Sequence, residues 1–316
     1  MLYVVRSARG PALASDLGGD ERDTVLVAGS GRSGTTWVGG VIARLTRART
    51  IFEPFLLDRG LEFAPAQQMR LREKELMRER SLYVPADTGA ESRHFASISA
   101  ILQGKLNSIW CSRDCAPGIY RSRVIKDIRA NLLLGYLART WPQLRIVWVL
   151  RDPFAVIGSQ LHMARRHGWA FDWNTAAALD QPDLMTDWLD GYRSALRHAD
   201  TQGQRLAHRW CIETMVPFWQ GVAAQPNVLV VRYEALAQGH AAWEGVARFV
   251  SGTPWPERDF QTAFESRSST SPRTKSGALP DADADAIAQI LDAYGVRETG
   301  ILDDAISCIA PRAARA

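Results

Sequence analysis

Between the apolar run Thr24-Val25-Leu26-Val27-Ala28 and a helix-compatible stretch, residues 29–37 read Gly-Ser-Gly-Arg-Ser-Gly-Thr-Thr-Trp. Backbone N–H groups of such a turn, joined to the positive end of a following helix, make a cradle for an anion, and glycine lets the chain come close to the ligand. The segment therefore predicts a site for a phosphorylated nucleotide. Gly29, Gly34 and Thr36 fall on the spacing G-x-x-x-x-G-K-[ST] of nucleoside-triphosphate loops, but Thr35 occupies the lysine position. That mismatch argues against an ordinary NTPase. The basic group stands earlier, at Arg32, and a large aromatic, Trp37, follows the two threonines.

Further constellations follow other apolar runs. After Arg145–Leu150 comes Arg151-Asp152-Pro153-Phe154-Ala155-Val156-Ile157-Gly158-Ser159. Asp152 can cap a helix that begins with Pro153, which directs Arg151 into the crevice at the strand end and sets Ser159 about two turns along the helix. After Val228–Val231 comes Arg232-Tyr233-Glu234-Ala235-Leu236. Two more strand ends carry ionisable groups: Ile51-Phe52-Glu53-Pro54-Phe55 and Lys126-Asp127-Ile128-Arg129.

Arg32-Ser33-Gly34-Thr35-Thr36-Trp37 closely resembles the 5′-phosphosulfate loop of sulfotransferases, which use 3′-phosphoadenosine 5′-phosphosulfate (PAPS) as sulfuryl donor. Cytosolic members usually have lysine where this chain has Arg32; arginine keeps the charge and adds a planar fork suited to an oxyanion. The resemblance implies that Arg32, Ser33, Gly34, Thr35 and Thr36 hold the 5′-phosphosulfate and that Trp37 lies against the adenine. It implies that Arg151 and Ser159 bind the 3′-phosphate, and that Tyr233, in a segment like the family's Tyr-Glu-Asp-Leu, contacts the adenine region. The product would be 3′,5′-ADP.

Sulfuryl transfer needs an in-line arrangement, stabilisation of the leaving oxygen and a group that takes the acceptor's proton. Arg32, assisted by Lys126, is the candidate for the leaving oxygen. Cytosolic sulfotransferases place a histidine base two residues after a strand-end lysine, but here that residue is Ile128. Phe52-Glu53-Pro54 resembles instead the segment of carbohydrate-type sulfotransferases whose glutamate is the base, and Lys126 with Arg129 fits their strand-end pattern; Glu53 is therefore the expected base, with Asp127 and His94 in reserve. Trp110, Trp169, Phe171, Trp173 and Trp188 suit either a cap over a sugar or another flat acceptor, or a packed core. A carbohydrate, glycosylated or other small-molecule hydroxyl is the expected acceptor. The alternative is a P-loop kinase using ATP on a small molecule.

Five runs read as buried parallel strands: Thr24–Ala28, Thr50–Phe52, Arg123–Lys126, Arg145–Leu150 and Val228–Val231. Helical segments over Thr35–Thr46, Gln67–Arg80, Asn131–Thr140, Ala155–Arg166, Leu184–His198 and Leu206–Gly221 separate most of them. This alternation predicts an α/β fold, a doubly wound and mainly parallel sheet with helices on both faces, whose ligands bind beyond the carboxyl ends of the strands. One domain over 1–316 is expected: a core over 23–250, a helical cap inserted at 58–120 and a tail at 264–316. Residues 266–277 read as a basic loop, and a last helix should bury Ile287, Ile290, Leu291 and Tyr294 and stop at Gly295. Trp210 reads as core.

The 316 residues suffice for a sizeable core, and 46% hydrophobic with 23% charged residues is ordinary globular composition. Net charge is +4, which suits an anionic co-substrate and is too scattered to argue for nucleic acid. Cys111, Cys115, Cys211 and Cys308 lack zinc-site spacing and read as reduced thiols, so no metal is expected. The apolar part of Met1–Ser7 is too short for a secretory signal, and no run of about 18 apolar residues exists to span a bilayer. Cytoplasm is the expected compartment. Animal carbohydrate sulfotransferases of similar motif carry a Golgi anchor, a point of departure.

Overall fold

Alternate residues along three neighbouring strands point to two separate cores, the pattern of strands covered on both faces. Leu26 and Ala28, Ile146, Trp148 and Leu150, and Val228 and Val230 enter one apolar cluster. Val25 and Val27, Val147 and Val149, and Leu229 and Val231 enter the other. A computed structural model of the chain describes residues 14–17, 19–55, 82–105, 110–116, 118–167, 175–265 and 281–302.

The strands are β1 (Ala14–Asp16), β2 (Thr24–Ala28), β3 (Arg49–Phe52), β4 (Gly118–Tyr120), β5 (Arg123–Asp127), β6 (Arg145–Leu150) and β7 (Val228–Arg232). The longer helices are α1 (Thr35–Thr46), α2 (Phe95–Leu102), α3 (Leu134–Thr140), α4 (Pro153–His167), α5 (Gln202–Trp219), α6 (Glu244–Ser251), α7 (Glu257–Glu265) and α8 (Asp281–Ala293). Five strands form a parallel sheet in the order β3-β5-β2-β6-β7. The chain leaves β2 towards β3 on one side and later places β6 on the other, so the order reverses at β2 and β6. In an open parallel sheet a ligand crevice forms at such a point. The fold is the doubly wound α/β type that the sequence pattern predicts. Its five predicted strands appear with ends extended by at most one residue.

The structure corrects the sequence reading at several elements. The helix expected over 184–198 is a chain of short turns: a helical turn at Pro182–Leu184, a wide turn at Met185–Leu189, a tight one at Asp190–Tyr192 and helix Arg193–Arg197. Asp190 and Gly191 both weaken a helix interior, so continuity fails there. α5 starts earlier than expected because Thr201 Oγ1 accepts from Gln204 N at 3.1 Å while Gln204 Oε1 accepts from Thr201 N at 3.0 Å, a capping box. The described part of residues 58–120 contains α2 and β4, and β4 pairs with β1 in a separate two-stranded parallel sheet. Three-residue strands are too short to show a period in sequence. Helix 67–80, loop 266–277, Trp169, Phe171, Trp173 and Cys308 lie outside the described residues.

At the lower end of the sheet, buried Arg123 donates through Nη1 to Asp20 O, Thr24 Oγ1 and Leu102 O, each at 3.0 Å. This side chain ties the end of α2 to the starts of β2 and β5. In the upper core, α8 lays Ile287, Leu291 and Tyr294 into the larger cluster, and Gly295 turns the chain at φ 69°. Trp210 is core, as expected.

Gly29 leaves β2 at φ 154°, and a Cβ there would stand 2.3 Å from the Val149 carbonyl oxygen. The neighbour is sheet backbone and cannot swing away. Gly29→Ala should therefore lower the unfolding free energy by about 1–3 kcal/mol in urea denaturation; an unchanged midpoint would show that β6 yields at this contact.

Candidate active site

The residues singled out in the sequence converge in two groups above the carboxyl ends of adjacent strands. The first surrounds the loop after β2. Ser33 N donates to Ser30 O at 3.0 Å to close the turn, and Gly34, at φ 89°, caps α1. A Cβ on Gly34 would lie 2.4 Å from the Tyr233 ring, so glycine is what lets β7's end close over the loop. Arg32 also has a left-handed backbone, φ 78°, which is uncommon for a residue with a side chain and concentrates at functional turns.

Arg32 Nε donates to Ser159 Oγ at 3.1 Å, and Arg151 Nη1 donates to the Arg32 carbonyl at 2.8 Å. The Arg151 guanidinium also lies over the Tyr233 ring, Cζ 4.4 Å from its centre. Loop, helix α4 and the end of β7 are thus joined through two guanidinium groups. Burial lowers the Arg32 pKa, the like charge of Arg151 lowers it further, and Tyr233 opposes them. Two cations this close disfavour one another and favour an anion between them. Arg151 Nε is buried and, among the described residues, has no hydrogen-bond partner.

The frame behind this group is set locally. Asp152 Oδ1 accepts from Ala155 N at 2.7 Å, the expected cap, with Pro153 as the first residue of α4. Buried Gln160 donates to Gly31 O at 2.7 Å, and Glu234 Oε1 accepts from Asp152 N at 3.0 Å. Neither residue stood out in sequence; their positions next to Ser159 and Tyr233 were the available signal. Trp37 meets Tyr233, Trp243 and Phe264 edge to face at 5.7, 5.4 and 5.3 Å, with its Nε1 donating to Phe264 O at 3.4 Å. Thr35, buried, and Thr36, half-buried, form the first turn of α1.

The second group sits at the ends of β3 and β5. Glu53 Oε1 accepts from Lys126 Nζ at 2.5 Å and Oε2 from Arg129 Nη1 at 2.7 Å, all three side chains at least nine-tenths buried. Glu53 has φ 42°, and its N–H donates to Lys126 O at 2.7 Å. Asp127 locks both turns, accepting from Phe55 N at 2.8 Å and Arg129 N at 2.7 Å. Burial pushes the Glu53 pKa up, but Lys126 and then Arg129 outweigh it and hold the carboxyl at about 2. Burial pulls the Lys126 ammonium down and Glu53 opposes that pull. Asp127 is pushed up to about 6 by burial, with Arg129 opposing and Glu53 adding. Arg129 is thus a full partner of Glu53, a role that its place in the strand-end pattern only hinted at.

Val27 pairs with Lys126 and Ala28 with Asp127, so the strand carrying the second group lies directly beside the one that enters the phosphate loop. Gly39 of α1 packs on the stem of Lys126, where a Cβ would stand 3.4 Å from Lys126 Cβ. Of the two reserves for the base, Asp127 is spent on the turns; His94 stands before α2, with its N–H donated to Ser92 Oγ at 3.2 Å and its ring Nε2 facing Arg93 Nε at 3.3 Å. Trp188 donates to Tyr83 OH at 2.9 Å and stacks on Trp219. Among the described residues no group of three His, Cys, Asp or Glu is placed to hold a metal ion, and no helix is long and apolar enough to cross a membrane.

The glycine-rich loop thus stands at the switch point of a doubly wound sheet, beside a buried carboxylate paired with two cations. Residues 24–256 match the Sulfotransferase family, and the chain belongs to that family. Its reaction class is sulfuryl transfer. Similar solved structures include the sulfotransferase domain from the curacin biosynthetic pathway, 13% identical, with 89% of this chain and 99% of that chain covered and a TM-score of 0.39. Sulfotransferase STF9 from Mycobacterium avium is 13% identical over 87% of this chain and 77% of that chain, with a TM-score of 0.45. Retinol dehydratase in complex with androsterone and inactive cofactor PAP is 15% identical over 90% of this chain and 81% of that chain, with a TM-score of 0.36. No curated protein sequence matches the chain.

These shifts fix a pH signature. Asp127 keeps its proton to about pH 6 when folded, whereas an unfolded aspartate loses it near 3.9, so stability falls as pH rises between those values. Glu53 works oppositely: its contribution is complete above about 4.3 and is lost only as pH falls towards 2. Asp127→Asn should make the unfolding free energy at about pH 7, minus that at about pH 4.5, more positive than in wild type. An unchanged difference in urea titrations would remove Asp127 from this role.

Proposed function

We propose that this sulfotransferase is PAPS-dependent and transfers the sulfuryl group to a hydroxyl of a carbohydrate, glycosylated or other small-molecule acceptor. The observation that carries the reading is the union of the loop after β2 with α4 through Arg32, Ser159 and Arg151, beside the Glu53-Lys126-Arg129 group on neighbouring strand ends. Donor chemistry, backbone cradle and the orphaned Arg151 Nε all fit a nucleotide with phosphates at both the 5′ and 3′ positions. Ser33, Gly34, Thr35 and Thr36 would hold the 5′-phosphosulfate at the start of α1, Arg151 and Ser159 the 3′-phosphate, and Trp37 and Tyr233 the adenine side. When bound, PAPS supplies an activated sulfuryl group on a phosphate leaving group.

The chain's own residues supply orientation and charge. Arg32 and Lys126 stabilise negative charge on the leaving oxygen, and Glu53 takes the acceptor proton. A carboxylate held at about 2 is a weak base, but a hydroxyl becomes strongly acidic once its oxygen has bonded to sulfur, so a late transfer to Glu53 runs downhill. Lys126 and Arg129 thereby keep the base ionised without preventing its use. The kinase alternative is not favoured by the family match.

Calorimetric titration should give at least about tenfold tighter binding of 3′,5′-ADP than of 5′-AMP, with the difference lost in Arg151→Ala. Equal affinities would sink the PAPS assignment. Glu53→Gln should reduce kcat by at least about a hundredfold with hydroxyl acceptors, while 3′,5′-ADP affinity stays near wild type. The loss should shrink for phenolic acceptors already ionised at the assay pH; an equal loss for all would make Glu53 a charge partner only.

A further inference from the structure

We propose that Arg113 recognises the acceptor, and that the acceptor carries an anionic group, a carboxylate or sulfate on a sugar, beside the hydroxyl that is modified. The proposal rests on the sulfotransferase reading above and names the substrate class of that site. Arg113 lies in the turn at 110–114, which is tied to β3 because Phe52 N donates to Cys111 O at 2.9 Å. Phe52 directly precedes Glu53.

The Arg113 guanidinium carbon stands 3.4 Å from the centre of the Phe52 ring and 4.6 Å from that of Trp110. Those rings meet edge to face, 5.3 Å apart at 76°, so the guanidinium occupies the corner between them. A guanidinium held over a ring through its carbon keeps N–H donors at its rim, which suit a two-pronged contact. Its polar partner is the neighbouring Asp114, at 3.4 Å from Nε, on a half-exposed carboxylate, a contact of little strength. Among the described residues the two terminal nitrogens donate to no group, and with 31% of the side chain exposed they can be reached.

Position assigns this fork to the acceptor. The Phe52 ring that carries Arg113 also meets Lys126 Nζ at 4.5 Å, so a single ring separates Arg113 from the Lys126–Glu53 pair. β3 is an edge strand, and β5 stands between it and β2, whose loop would take the nucleotide phosphates. A neutral acceptor would leave the fork to water, whereas a carboxylate or sulfate pairs with it while its hydroxyl reaches Glu53. Ordering cost is low because the rings already hold the guanidinium.

The test uses protein saturated with 3′,5′-ADP, titrated calorimetrically with methyl β-glucuronide and with methyl β-glucoside, which lacks the carboxylate. Wild type should bind the glucuronide about tenfold more tightly; Arg113→Gln should lose the preference and Arg113→Lys keep part of it. Equal affinities in wild type, no binding of the glucuronide, or a preference that survives Arg113→Gln would overturn the proposal. Affinity for 3′,5′-ADP, measured first on each variant, reports folding. If 3′,5′-ADP binds no better than 5′-AMP, both readings fall; if it binds tightly and the sugars are not distinguished, only the assignment to Arg113 falls.

Discussion

Glu53 lies buried between Lys126 Nζ and Arg129 Nη1, and three charges removed from water persist only because each offsets the desolvation of the others. Much of the upper edge of the sheet is organised around that arrangement. Glu53 reaches it through a left-handed backbone, φ 42°, whose N–H is held by Lys126 O. Asp127 holds the amides of Phe55 and Arg129, so the turns leaving β3 and β5 move as one piece. The acidic side chain of the second group is therefore fixed by backbone as much as by charge.

The group around the loop after β2 is built on a different electrostatic principle. Arg32 and Arg151 approach each other, Arg151 Nη1 donating to the Arg32 carbonyl, and burial together with their mutual repulsion lowers the Arg32 pKa. In one group two cations share the single carboxylate of Glu53; in the other the guanidinium groups meet a hydroxyl and a backbone carbonyl. Placing these groups on adjacent strands brings the two regimes together without mixing them, since Lys126 faces Glu53 while Arg32 faces Ser159.

What was legible in sequence follows from the range of the interactions involved. The strands at Thr24–Ala28 and Arg145–Leu150 and the cap at Asp152 are set by neighbours in the chain, so composition and spacing reveal them. The loop residues Arg32–Trp37 were readable because a backbone cradle has a local signature. Gln160 bonding Gly31, and Glu234 bonding Asp152, depend on approaches that only the strand order creates. Arg113 was invisible for the same reason: nothing near it in sequence announces that Phe52 will lie beneath it. The broken helix at 182–197 and the pairing of β1 with β4 escaped because short turns and three-residue strands carry no readable period.

Buried Arg123 binds the start of β2 and the end of α2 at the edge of the sheet remote from the strand ends that carry Glu53 and Arg32. The excursion between β3 and β5 is therefore moored from below, through a side chain that takes no part at the upper rim. Mooring of this kind separates the support of the scaffold from the arrangement of the upper rim. Substitutions around Trp110 and Arg113 therefore act on a part of the chain whose attachment to the lower end of the sheet is made elsewhere, through Leu102 and Arg123.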